Sequence, residues 1–141
     1  MTIDPLSPQD ALVAVMVTIS AADLDMTDRE LASITAILDV LPVFEGYDRS
    51  RVGRISVLVG DLLEEEDGLD ALLGLVEQAL PDHLRETAYA LACDVAAADG
   101  RVAMNELRFL EMLRYDLKVG RLAAAAIERG ARARHQRLDP R

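Results

Sequence analysis

Apolar residues in this chain recur every three or four positions, and Pro, Gly or a capping acid interrupts the pattern at short intervals. That spacing lays side chains along one face of an α-helix. No segment sustains the period-two alternation of a half-buried strand. Packed helices are therefore the expected architecture. Hydrophobic residues make up 51% of the chain, but aromatics only 4%, and Trp is absent. The core must then be Leu, Val, Ile, Ala and Met, a mixture that favours helix. At 141 residues, one domain spanning 1–141 can bury such a core.

The punctuation predicts an all-α, compact bundle of about seven helices. Ser7 caps a first helix, with Pro8 at its first position, running to about Ala22. "TDRE" at 27–30 is a capping box that opens a second, carrying Leu31, Ile34, Ile37, Leu38 and Leu41 up to Pro42. Asp48 is placed to cap a third, with Val52, Ile55, Leu58 and Leu62 on one face. "RISVLVGD" is rich in β-branched residues, but its neighbours assign it to that helix. "EEEDG" breaks it. A fourth helix carries Leu69, Leu72, Leu73, Val76 and Leu80.

Asp82 is expected to cap a fifth helix reaching Ala98. One of its stripes is Leu84, Ala88, Leu91 and Val95, the other Tyr89, Cys93 and Ala96. Two apolar faces predict the central, buried position. The sixth helix carries Leu107, Leu110, Leu113 and Leu117. The seventh, over about 120–134, turns Leu122, Ala126 and Ile127 inward.

Two stretches align at an offset of 76. Ala21, Ala22, Asp23, Glu30 and Leu31 match Ala97, Ala98, Asp99, Glu106 and Leu107, and Met26 and Val102 are both apolar. Each copy joins a very apolar helix to an amphipathic one. The chain thus reads as two related helix–turn–helix halves with helices three and four between them.

"ACDVAAADGRVAMNELRFLEML" at 92–113, with "VTISAADLDMTDREL" at 17–31, resembles the TerB family of tellurite-resistance proteins. That family is marked by an apolar helix ending in Ala-Asp-Gly, a short apolar step, and a helix opening with Glu. The resemblance covers about residues 8–130; in the first copy Leu24 replaces the glycine. It implies an all-helical bundle of about seven helices, and a role in tellurite or other stress resistance beside cytoplasmic and inner-membrane partners. It also implies metal binding through acidic residues.

Asp23 and Asp99 end apolar helices, where a carboxylate faces the negative end of the helix dipole at a cost of roughly 0.3–1 kcal/mol. A cation would offset this. Asp23, Asp25 and Glu30 in the first copy, and Asp99 and Glu106 in the second, are candidate oxygen ligands, a set that suits Ca²⁺ or Mg²⁺. The EF-hand pattern does not fit. Counting from Asp23, position six is Asp28 rather than Gly and position twelve is Ile34 rather than Glu; two residues after Asp99 stands Arg101. A site shared by the two turns remains open. So do two plainer readings: turn and cap residues, with Glu30 explained by the capping box, and an acidic docking patch. Asp94, among small alanines on the fifth helix, is either a further ligand or an acid held by a partner such as Arg.

Catalytic motifs are missing. There is no Gly-rich phosphate loop, no G-x-S-x-G and no H-E-x-x-H. Cys93 sits among Ala and Leu without a neighbouring His, so an inert core thiol is expected; His83 and His135 lack zinc spacing. No enzyme is expected. A single cysteine and a polar start, "MTIDPLSPQD", predict a reducing, cytoplasmic setting without a signal peptide. The longest uncharged run, 11–22, is too short for a transmembrane segment.

Net charge is −10, divided as −15 over 1–116 and +5 over 117–141. An acidic body repels nucleic acid and attracts cations or a basic protein partner. The basic tail, about 128–141, suits an acidic partner or anionic lipid, or a solvated end. The expectation is therefore a non-catalytic interaction domain of a stress-resistance system, with a metal-ion binder or sensor as the alternative.

Overall fold

The computed structural model describes residues 6–21, 28–98, 102 and 104–139; the side chains of Arg29 and Glu30 fall outside that description. Among the described residues the chain is all helix, with no strand. The helices are α1 (Pro8–Ala21), α2 (Asp28–Val40), α3 (Arg51–Leu63), α4 (Gly68–Ala79), α5 (Arg85–Ala97), α6 (Met104–Asp116) and α7 (Arg121–Arg134). Short 3-10 turns stand at Pro42–Phe44 and Asp82–Leu84.

The centre is shared by two helices rather than held by α5 alone. Every residue of α1 from Asp10 to Ser20 is buried. Thr18 and Ser20 tolerate this because each hydroxyl donates to a carbonyl one turn back, on Ala14 and Met16. α5 buries both of its expected stripes apart from half-buried Leu84. α3 and α4 pack on α1, α7 packs on α5, and α6 packs on α1, α4 and α5. α3 buries Ile55 and Leu62 as expected, with Val59 added and Val52 and Leu58 half-buried; α4 buries Leu72, Leu73 and Val76, with Leu80 just beyond it, and leaves Leu69 half-buried.

Local chemistry explains the boundaries. The Asp10 amide donates to Ser7 Oγ at 3.0 Å, and the Ser7 amide donates to Asp10 Oδ2 at 3.4 Å, so α1 opens with a reciprocal capping box. Asp48 does not cap α3 directly. Its Oδ1 accepts from the amide and hydroxyl of Ser50 and shapes the turn just before the helix. Asp82 likewise caps no helix through its side chain, since a 3-10 turn precedes α5. Gly68 is required where it stands, because a Cβ there would collide with the Leu62 carbonyl. The Thr27 cap lies outside the described residues.

One expected inward face is kept in the main and one is rotated. On α6, Leu110 and Leu113, with Leu117 just beyond its end, are buried as expected, Leu107 is 45% exposed, and Glu106 and Phe109 also turn inward. Leu122 is 85% exposed and Ala126 is exposed too; α7 buries Ala124 and Ala131, about two helical turns apart, with Ile127 half-buried. On α7, close approach to α5 selects the small alanines over Leu122.

The doubled pattern is visible in the helices. Shifting α2 by 76 residues superimposes its bounds on those of α6. The cross-packing is reciprocal as well: α1 contacts α6, and α2 contacts α5.

Candidate functional site: an acidic face and a groove on α5

Of the residues singled out as ligands, Asp23, Asp25 and Asp99 lie outside the described residues, as does the side chain of Glu30 at the start of α2. Glu106, in the first turn of α6, is buried at 3% exposure. Asp94 has the arginine partner that burial demands. Arg134 donates Nη2 and Nε to Asp94 Oδ1 at 2.6 and 3.2 Å, and His135 Nε2 lies 3.4 Å from the same oxygen. Among the described residues, no three His, Cys, Asp or Glu side chains are grouped to hold a metal ion.

Two other features stand out. The first is a face of acids. The α3–α4 loop carries Glu64, Glu65, Glu66 and Asp67, all exposed, between Asp61 and Asp70. Asp116 at the end of α6 is held above the usual carboxylate range, by burial first and then by Glu77 and Asp70 of α4. None of these eight acids forms an ion pair among the described residues. The run "EEEDG" advertised half of this face; folding added α4 and the end of α6.

The second is an open groove of about 470 Å³ over α5, walled by α6 and α7. Cys93, Ala96, Ala97, Leu107, Leu110 and Ala131 give it an apolar lining; Glu111, Arg114, Glu128 and Arg132 add charge. Tyr89 donates its hydroxyl to Glu128 Oε2 at 2.7 Å across the groove floor. Burial, then Glu128, raises the Tyr89 phenol. Burial also pushes the Cys93 thiol up to about 12, so it stays protonated and unreactive near neutrality, as its alanine neighbours suggested. Nothing in the sequence joined Tyr89 to Glu128, which are 39 residues apart.

A third cluster is structural. Buried Asp10 receives Arg51 Nε at 2.9 Å, Arg51 Nη2 at 2.6 Å and the Tyr47 hydroxyl at 3.0 Å. Arg51 above all, against the opposing effect of burial, lowers its carboxyl to about 2. The Ser7–Asp10 spacing was the available sequence signal; the distant arginine left none.

Compared with protein-family models, curated proteins and solved structures, the chain matches none. What fold and surface define is a class: a small all-α bundle with an acidic face and an apolar groove. No helix among the described residues is long and apolar enough to cross a membrane.

Proposed function

We propose that the chain is a non-catalytic interaction domain whose acidic α3–α4–α6 face binds a basic protein partner. One observation carries this reading. Asp70, Glu77 and Asp116 come from two helices, Glu77 and Asp70 add to the effect of burial in raising Asp116, and none of the three forms an ion pair among the described residues. Crowded like charge costs folding energy, and a basic partner relieves it while gaining a faster encounter. The TerB resemblance of 17–31 and 92–113 supports a setting in tellurite or stress resistance, in the cytoplasm or peripheral to the inner membrane.

Titration calorimetry with a lysine- and arginine-rich peptide tests the face. Binding should weaken with salt and fall at least about tenfold in Asp70→Asn/Glu77→Gln/Asp116→Asn. A control, Asp28→Asn/Glu45→Gln/Glu86→Gln, removes the same charge from elsewhere. Equal loss in both variants would reduce the face to net charge and defeat the reading.

A second reading makes an ion the functional ligand, held by acids of the doubled turns. The matched bounds of α2 and α6 and the contacts of α1 with α6 and α2 with α5 support it, because they extend the sequence repeat to the helices that flank those turns. Its test is given in the Discussion.

A further inference from the structure

α7 lies closely on α5 but fully buries few of its residues. Its fully buried residues are Ala124 and Ala131, whereas α1 buries eleven in succession. Small side chains let α7 lie close to α5 but bring little apolar surface with them. Ala123 and Ile127 pack half-buried beside them, and two polar clasps complete the attachment. One is Tyr89 to Glu128; the other joins Asp94 to Arg134 and His135, and Arg134 is 54% exposed.

The connection to α6 is firm up to a point and then free. Leu117 and Val119 are buried, and the Val119 amide donates to the Arg114 carbonyl at 3.0 Å. Lys118 occupies the left-handed region at φ 57°, which closes the end of α6. Gly120 follows, exposed, with open space around it and no side-chain cap on α7. A glycine between an anchored residue and a lightly held helix absorbs backbone rotation at small steric cost.

We infer that α7 is a releasable strap: it swings off α5 about Gly120 while the rest of the bundle stays folded. Release uncovers Tyr89, Cys93 and Ala96 and turns the groove into an open apolar face of α5. The charges set the direction of control. α7 carries Arg121, Arg129, Arg132 and Arg134 against Glu128, and residues 1–116 sum to −15, so salt or a competing polyanion favours release.

The chain's one cysteine reports the motion, because Cys93 is 5% exposed beside α7. The experiment pairs its modification by a neutral thiol reagent with amide hydrogen exchange on the full chain. Cys93 should react at least about tenfold faster than the α1 amides open, with a shallower urea dependence, since local opening exposes less surface. α7 amides should exchange in step with Cys93 while α6 stays protected. Asp94→Asn, Tyr89→Phe and added salt should each raise the Cys93 rate several-fold and leave α1 protection unchanged; the salt series needs no variant. The inference fails if Cys93, α6 and α1 report one common opening with a single urea slope. It fails equally if salt and both variants leave the Cys93 rate where it was.

Discussion

Arg51, the first residue of α3, clamps Asp10, in the first turn of α1, through two hydrogen bonds of 2.9 and 2.6 Å. The acid is buried and the arginine is partly solvated. Removing the arginine therefore leaves a buried charge without its counter-ion, whereas Asn at position 10 removes the charge and keeps one acceptor oxygen, for either Tyr47 or the Ser7 amide. Arg51→Met should cost about 2–3 kcal/mol and Asp10→Asn about 2 kcal/mol, read as a fall in the urea midpoint at constant slope.

The same pair makes stability depend on acidity. Asp10 titrates near 3.8 when unfolded and near 2 when folded. A lowered folded pKa means that its stabilisation is complete above about pH 4 and is lost as pH falls toward 2. The loss is about 2 kcal/mol. Asp116, shifted upward, acts in the opposite sense, being relieved by protonation. The difference between wild type and Asp10→Asn across pH 5 to 2 isolates the Asp10 contribution and should shrink toward the acid end.

The unequal burial of two α6 leucines has a mutational signature. Leu113 is fully buried and Leu107 lies half in solvent on the groove wall. Leu113→Ala should cost about 3 kcal/mol, and Leu107→Ala below about 1 kcal/mol. Thermal unfolding of the two variants gives the ratio.

On the ion reading, metal-stripped protein should melt higher when Ca²⁺ or Mg²⁺ is added. A hundredfold excess over the dissociation constant corresponds to about 2.7 kcal/mol. The rise should saturate and disappear in Asp23→Asn/Asp99→Asn. A flat response in a variant that still folds would return these acids to the role of turn residues.

Sequence patterning reached far into the fold because helix boundaries are local events. Pro42, the Asp67-Gly68 break and the Ser7 cap each act within one turn of the chain, and the observed helices begin and end close to them. Facing was harder to read. Leu122 looks like a core residue by type, yet α7 meets α5 through Ala124 and Ala131 and leaves that leucine exposed. The polar contacts were less legible still. Asp10 with Arg51, Tyr89 with Glu128, and Asp94 with Arg134 are separated by 41, 39 and 40 residues. Nothing local marks such pairs. Asp94 announced that it needed a partner through its apolar surroundings, but not which one.

The uninterrupted burial of α1 bears on how the protein is made. This helix has no side that prefers water from Asp10 to Ser20, and its companion α5 ends at Ala97, nearly eighty residues later. At about 5–20 residues per second, α1 leaves the ribosome several seconds before its main cover has been synthesised. For that interval α3 and α4, which emerge in between and pack on α1, are its available shelter. The segment inserted between the two halves thus serves the nascent chain as a provisional core. Its crowded acids, exposed on the outer surface, keep that half-built particle apart from others like it.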